Sequence, residues 1–243
     1  MSIKQYEFII SGIPVKVVRK DIKNLHLGVY PPDGRVRIAV PLWLDDEAIR
    51  LAIVSRLGWI RRRQAGFWEQ IRESKREMVT GESHYVEGRR LRLVVVEEER
   101  QYPIVRFKNN KTIEMRIPPG TRRDAREMTM ERWYRRRLRK QISSLLQKWE
   151  DRIGVKVNEV RIKKMKTLWG SCNADARRIW LNIELAKKPL GCQEYILVHE
   201  MVHLLERHHT DRFAKLMDQF LPNWKMLRRE LNRAPLSHAE WRY

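Results

Sequence analysis

Apolar and polar positions alternate through the first forty residues. Glu7 to Val18 alternates around Ser11-Gly12, and Asn24 to Tyr30 and Arg35 to Val40 flank Pro31-Pro32-Asp33-Gly34. This pattern predicts short strands joined by tight turns. The period then changes: Ile49, Ile53, Leu57, Ile60 and Phe67 recur at helical spacing behind Asp45, whose carboxylate can cap the first turn. A second β stretch is predicted over Leu91 to Val96, Ile104 to Phe107 and, past the turn signal Asn109-Asn110, Thr112 to Ile117. From Asp124 to Ile153 the helical period returns, with Tyr134, Leu138, Ile142, Leu145, Trp149 and Ile153 on one stripe and Gly154 as the stop. Val155, Val157, Val160 and Ile162, then Ile179 to Ile183, lie either side of Asn173-Ala174-Asp175. They predict a β-hairpin leading straight into a last apolar helix that starts near Gly191 or Gln193. No internal repeat and no long Pro/Gly/Ser linker stands out.

That last helix carries Leu197-Val198-His199-Glu200-Met201-Val202-His203. Residues four apart on a helix share a face, so His199 and His203 can turn both imidazoles toward one ion. Two histidines so held suit Zn²⁺, and Glu200 beside them can take a proton from water. Six residues further comes His209, with His208 next to it and Thr210-Asp211-Arg212-Phe213 following. Continued helix would turn His209 about 240° from the pair, so it can be a third ligand only if the helix ends first. His208 can serve as the turn residue at positive φ, and Thr210 as N-cap of a further helix through Phe213, Leu216, Met217 and Phe220. Three ligands with an open fourth position is the pattern of a catalytic zinc. A satisfied structural histidine is the rival reading of His209.

Composition narrows the setting. The 243 residues suffice for one large domain or two small ones, and two cysteines, Cys172 and Cys192, are too few for a disulfide framework. With no apolar run long enough for a signal segment or a membrane span, the expected location is the cytoplasm, without a membrane partner. The 51 Lys and Arg against 30 Asp and Glu give a formal charge of +21. Such an excess favours a polyanion, or else reflects general surface basicity. Arg61, Arg62 and Arg63 on one predicted helix, and Arg132, Arg135, Arg136, Arg139 and Lys140 on another, make two candidate stripes for non-specific nucleic-acid binding if the fold brings them together. The competing reading is a solvated helix face.

Beyond these readings, Trp169-Gly170-Ser171-Cys172, Ile179-Trp180-Leu181-Asn182, Tyr195 to His203, His209, Phe213 and Leu221-Pro222 follow one another in an order that resembles the YgjP-like metallopeptidases, relatives of the SprT and Spartan zinc peptidases. The resemblance is most specific from Val160 to Leu231 and extends with weaker motifs over most of the chain. It implies His199, His203 and His209 as zinc ligands, Glu200 as catalytic acid/base, and Trp169 to Cys172 close to the active site. Family members often carry Asn where this chain has His208, which leaves His208 as a rival ligand. From the residues alone, Trp169 and Cys172 read more readily as packing residues than as catalysts. A Cys172 thiolate ligand is the weaker alternative to a complete histidine set. His208 and Tyr195 are candidates for stabilising an oxyanion.

The expected architecture is therefore α+β. A basic, β-rich strand-and-helix region over 1–123 precedes a zincin-like metallopeptidase core over 124–243, in which a β-hairpin leads into the His-Glu-x-x-His helix; the two can also form one continuous domain. The expected function is zinc-dependent hydrolysis of peptide bonds in a protein or peptide substrate, with recruitment to nucleic acid as an extension. The alternatives are a metal-dependent nucleoside triphosphate pyrophosphatase, against which stands the lack of a Gly-rich phosphate loop, and a nucleic-acid-binding module with a structural zinc, which would need no Glu200. The sequence leaves the oligomeric state open.

Overall fold

The computed structural model describes residues 5–30, 34–69, 76–165 and 168–233. Among these lie eleven strands in three sheets and six α-helices, a mixed α and β architecture. The chain forms two compact units, one before residue 74 and one over 74–237. The expected division at residue 123 falls inside the second.

In the first unit, strands β1 (Gln5–Ile10), β2 (Ile13–Lys20), β3 (His26–Tyr30) and β4 (Arg35–Pro41) stand in the order β1-β2-β4-β3, with β2 and β4 parallel. Ser11 and Gly12 take φ of 51° and 78°, the two left-handed positions of a type I′ hairpin turn. Helices α1 (Asp46–Val54) and α2 (Leu57–Glu69) follow, and Asp45 accepts the Ala48 N–H at 2.6 Å as its cap. Sequence periodicity predicts one helix here, but the chain tightens at its end. Ser55 N–H bonds the Leu51 carbonyl and Arg56 N–H the Ile53 carbonyl, and a new helix starts at Leu57. The seven-residue step from Ile53 to Ile60 keeps both side chains on the core side, with Val15, Val17, Ile38 and Val40. The Phe67 side chain and the Pro31-Pro32-Asp33 turn lie outside the described residues.

The second unit opens with the same topology. Strands β5 (Ser83–Val86), β6 (Arg89–Glu97), β7 (Ile104–Phe107) and β8 (Thr112–Ile117) run β5-β6-β8-β7, again with one parallel pair, β6–β8, between antiparallel ones. Its hairpin turn is again type I′, with Glu87 at 53° and Gly88 at 80°. Each sheet is followed by a helix bearing Trp-x-Arg-Arg-Arg, Trp59 to Arg63 in one and Trp133 to Arg137 in the other. A repeat is thus present where none stands out in the sequence. The sheets share only alternation, Val15, Val17, Ile38 and Val40 in one and Leu91, Leu93, Ile113 and Met115 in the other.

Helix α3 (Arg123–Ile153) then buries Trp133, Tyr134, Leu138, Ile142, Trp149 and Ile153, and Gly154 ends it in the left-handed region at φ 76°. Leu145 is only partly buried. A third sheet holds β9 (Glu159–Lys163), β10 (Gly170–Asn173) and β11 (Arg178–Asn182) in the order β10-β11-β9. Here the expected pairing is corrected. The apolar segments over Val160–Ile162 and Ile179–Leu181 are parallel neighbours, and the hairpin partner of β11 is the Gly-Ser-Cys-Asn strand β10. A 3₁₀ turn over Ile183–Lys187 also separates β11 from the last apolar helix, α4 (Leu190–Val202). Helices α5 (Asp211–Phe220) and α6 (Trp224–Arg233) complete the unit. Among the described residues no helix is long and apolar enough to cross a membrane.

Candidate metal centre

Helix α4 is the centre of the second unit's core. Leu197, Val198, Met201 and Val202 are fully buried, each side chain contributing about 1.5–3 kcal/mol. That burial fixes which face is left for His199, Glu200 and His203. The helix ends at Val202, and Leu204, Leu205 and Glu206 N–H groups fold back onto the carbonyls of Met201 and Val202. His208 is therefore not the left-handed turn residue expected from the sequence, since it does not take positive φ. Thr210 is the expected cap, accepting the Phe213 N–H at 3.3 Å.

The result brings three imidazoles together. One ring nitrogen from each of His199, His203 and His209 lies within 4.8 Å of the others, and the Nε2 atoms of His199 and His209 are 3.1 Å apart. Nitrogen ligands at 2.0–2.1 Å on a tetrahedral ion stand about 3.3 Å from one another, so this spacing fits a shared ion. His203 Nδ1 donates to the Glu206 carbonyl at 3.0 Å, which leaves its Nε2 lone pair free. The Phe213 ring lies 4.7–4.9 Å from all three imidazole centroids and forms an apolar floor beneath them. His208, the rival ligand, is exposed and lies outside the three-histidine group.

Above the histidines is a cleft of about 1170 Å³. All six cleft positions expected from sequence line it: Trp169, Gly170, Ser171, Cys172, Tyr195 and His208. Trp180, from the Ile179-Trp180-Leu181-Asn182 motif, also lines it, as do Trp224 and Arg228, which nothing in their local spacing marks. Tyr195 is 4% exposed, turns its ring edge to His199 at 5.9 Å and stacks on Trp224 at 6.4 Å. Glu200 is 5% exposed, beside β10. Burial, with the Glu200 charge adding, pushes the Cys172 thiol up to about 11, which keeps it protonated.

The basic stripes are partly engaged within the protein. Arg135 bonds Glu131 and the Ile162 carbonyl, and Arg132 reaches Thr129. Arg136, Arg139 and Lys140 are exposed without an ion-pair partner among the described residues. Arg61, Arg62 and Arg63 are exposed on α2 in the other unit, Arg63 over the Trp59 ring.

Burial sets the protonation of the metal-free site. It drives the His199 imidazole down to about 3, with His203 and His209 adding, and the Glu200 carboxyl up to about 8. The neutral imidazole is the form a metal needs. Unfolded His199 binds a proton that the folded form does not, so stability rises with pH from about 3 to 6.5. Folded Glu200 keeps a proton that the unfolded form loses, so stability falls from about 4.5 through 8. These two groups oppose each other between 4.5 and 6.5 and leave a net loss above 6.5. Metal-free Glu200→Gln is expected to lack that loss. At pH 8 it should gain on the order of 3 kcal/mol, a rise of roughly 5–10 °C in melting midpoint. Parallel melting curves of the two metal-free proteins from pH 6 to 9 check this, and equal slopes would refute it.

No curated protein matches the chain significantly. A solved structure, the metallopeptidase zymogen of Pyrococcus abyssi abylysin, is similar at 22% identity over 37% of this chain and 90% of that one, with a TM-score of 0.35. The family model described as "YgjP-like, metallopeptidase domain" matches residues 23–234, which include strands β3 and β4, the second and third sheets, the cleft and all three histidines. The chain belongs to the YgjP-like metallopeptidase family.

Proposed function

We propose that this metallopeptidase is zinc-dependent, with His199, His203 and His209 holding the ion and Glu200 as general base. The observation that supports it is the convergence of three imidazole nitrogens within 4.8 Å at the base of a cleft whose wall is the free edge of β10. An ion so held supplies Lewis acidity, polarising a carbonyl and acidifying water. Glu200 takes the proton of the attacking water and returns it to the leaving amine.

The edge of β10 positions the substrate. Asn182 N–H bonds the Trp169 carbonyl at 2.9 Å, which makes Trp169–Asn182 a hydrogen-bonded pair of the antiparallel ladder. By alternation Ser171–Trp180 is the next such pair, so Gly170 and Cys172 turn their N–H and C=O groups to the open edge. An extended peptide adding there hydrogen-bonds to these groups and lies next to Glu200. Tyr195, His208 and Arg228 are the cleft groups available to stabilise a developing oxyanion. Recruitment by nucleic acid, the extension of this reading, rests on Arg136, Arg139, Lys140 and the α2 arginines.

The group of metal-competent side chains includes no carboxylate among the described residues, which favours peptide over triphosphate chemistry. The test is direct. Cleavage of a denatured protein should cease on chelation and return with Zn²⁺, while a nucleoside triphosphate stays intact. Chelator-sensitive triphosphate hydrolysis without proteolysis would replace this reading with the pyrophosphatase one. A DNA-tethered protein cleaved faster at low salt than at high salt supports recruitment; salt-independent cleavage refutes it.

A further inference from the structure

Gly170 stands out on the wall of this cleft. A Cβ at this position would lie 2.5 Å from Glu200 Oε1, 2.8 Å from its Cγ and 2.9 Å from its Cδ. No real Cβ sits that close to such atoms. The Glu200 carboxylate therefore occupies the volume that any other residue's side chain would fill. Nothing in the backbone demands glycine here. Gly170 is not among the residues at positive φ; it opens β10, paired with Leu181 in an antiparallel ladder that continues to the Trp169–Asn182 bond. Glycine weakens a strand interior, and its usual reason there is the close approach of another group. That group is Glu200.

Because strand side chains alternate, Gly170 and Cys172 face inward toward α4 while their peptide groups face the open edge. One residue thus meets substrate through its backbone and the base through its missing side chain. We infer that Gly170 is a positioning residue for catalysis, holding the Glu200 carboxylate in line with the cleft edge by leaving it room; this rests on Glu200 being the general base. Its two contacts separate in kinetics. Alanine keeps the N–H and C=O that bind substrate but displaces the carboxylate, so the effect falls on kcat and not on KM. Proline at 172 does the reverse, removing an outward N–H from an edge strand where proline is tolerated, so its effect falls on KM.

Gly170→Ala is expected to retain zinc and a cooperative melting transition, since alanine is no worse than glycine in a strand and only the Glu200 side chain has to shift. With a protein substrate its kcat should fall about a hundredfold, the usual consequence of moving a reacting group by about 1 Å, with KM changed less than about twofold. Cys172→Pro should raise KM with kcat largely kept. The decisive comparison repeats Gly170→Ala in the Glu200→Gln background, where a residue acting through Glu200 has nothing left to position and should change the residual rate less than about twofold. A crystal structure of Gly170→Ala should show the Glu200 side chain rotated or withdrawn. Full kcat in Gly170→Ala, an equal loss in both backgrounds, or an unmoved carboxylate would each overturn the inference. If Glu200→Gln itself is fully active, the general-base reading fails instead; if Glu200→Gln is inactive and Gly170→Ala is not, only the role of Gly170 fails.

Discussion

Glu200→Gln is expected to keep its zinc and lose hydrolysis by about a thousandfold or more, near the upper range for removing a general base. The amide matches the carboxylate in shape, so it fits beside Gly170 without a new clash. It differs in the one property that matters, having no basic oxygen that can take a proton from water. The three histidines form the metal-competent group without Glu200, so the ion has no reason to leave. The variant also relieves a buried carboxyl that burial has raised to about 8, so a loss of activity should come with a gain in metal-free stability. That opposite movement of rate and stability is hard to produce by misfolding. Elemental analysis, a melting curve and single-turnover cleavage of a denatured protein on one preparation measure all three. Near-native cleavage would remove Glu200 from the mechanism, and loss of zinc would assign it a structural task.

Where local chemistry decides the structure, the sequence was readable. Gly154 ends α3 because a left-handed C-cap needs no side chain, and Thr210 starts α5 because its hydroxyl takes an orphan N–H. The four-residue spacing of His199 and His203 on an apolar helix put both imidazoles on one face, where His209 joins them. Where tertiary contacts decide, it was not. β10 is made of Gly170, Ser171, Cys172 and Asn173, residues of little strand preference, and it is a strand because β11 pairs with it and α4 lies beneath it. The longer apolar segments at β9 and β11 attracted the hairpin assignment for the same reason. Periodicity shows that both are buried but carries no information on whether neighbours run parallel. His208 suits a positive-φ turn before His209, whereas the chain reverses by folding N–H groups back onto the carbonyls of Met201 and Val202. Arg135 illustrates the limit of charge counting. Its guanidinium bonds Glu131 and a backbone carbonyl of β9, contacts that composition cannot anticipate.

His209→Ala is expected to lower zinc affinity by well over the roughly 100-fold that loss of an outer-shell partner costs, whereas His208→Ala should leave zinc content near one per chain. The two histidines are adjacent and both exposed, so only geometry separates them. His209 Nε2 lies 3.1 Å from His199 Nε2, and its ring centroid lies 4.8 Å from that of His203. His208 instead offers its backbone N–H to the Glu206 carboxylate at 3.2 Å, in the same loop whose Glu206 carbonyl orients His203. Replacing His208 therefore leaves the ligands and their orientation untouched. Replacing His209 leaves two imidazoles on one helix turn, an incomplete set for the open three-ligand site of a catalytic zinc. Competition with a chromogenic chelator gives both affinities in one titration, and the metal-induced rise in melting midpoint gives them independently. The pattern reversed, with zinc lost from His208→Ala and kept in His209→Ala, would mean that the loop rearranges on metal binding and that His208 is the third ligand. Loss in both would make the loop itself, through Glu206 and His203, the element that holds the site together.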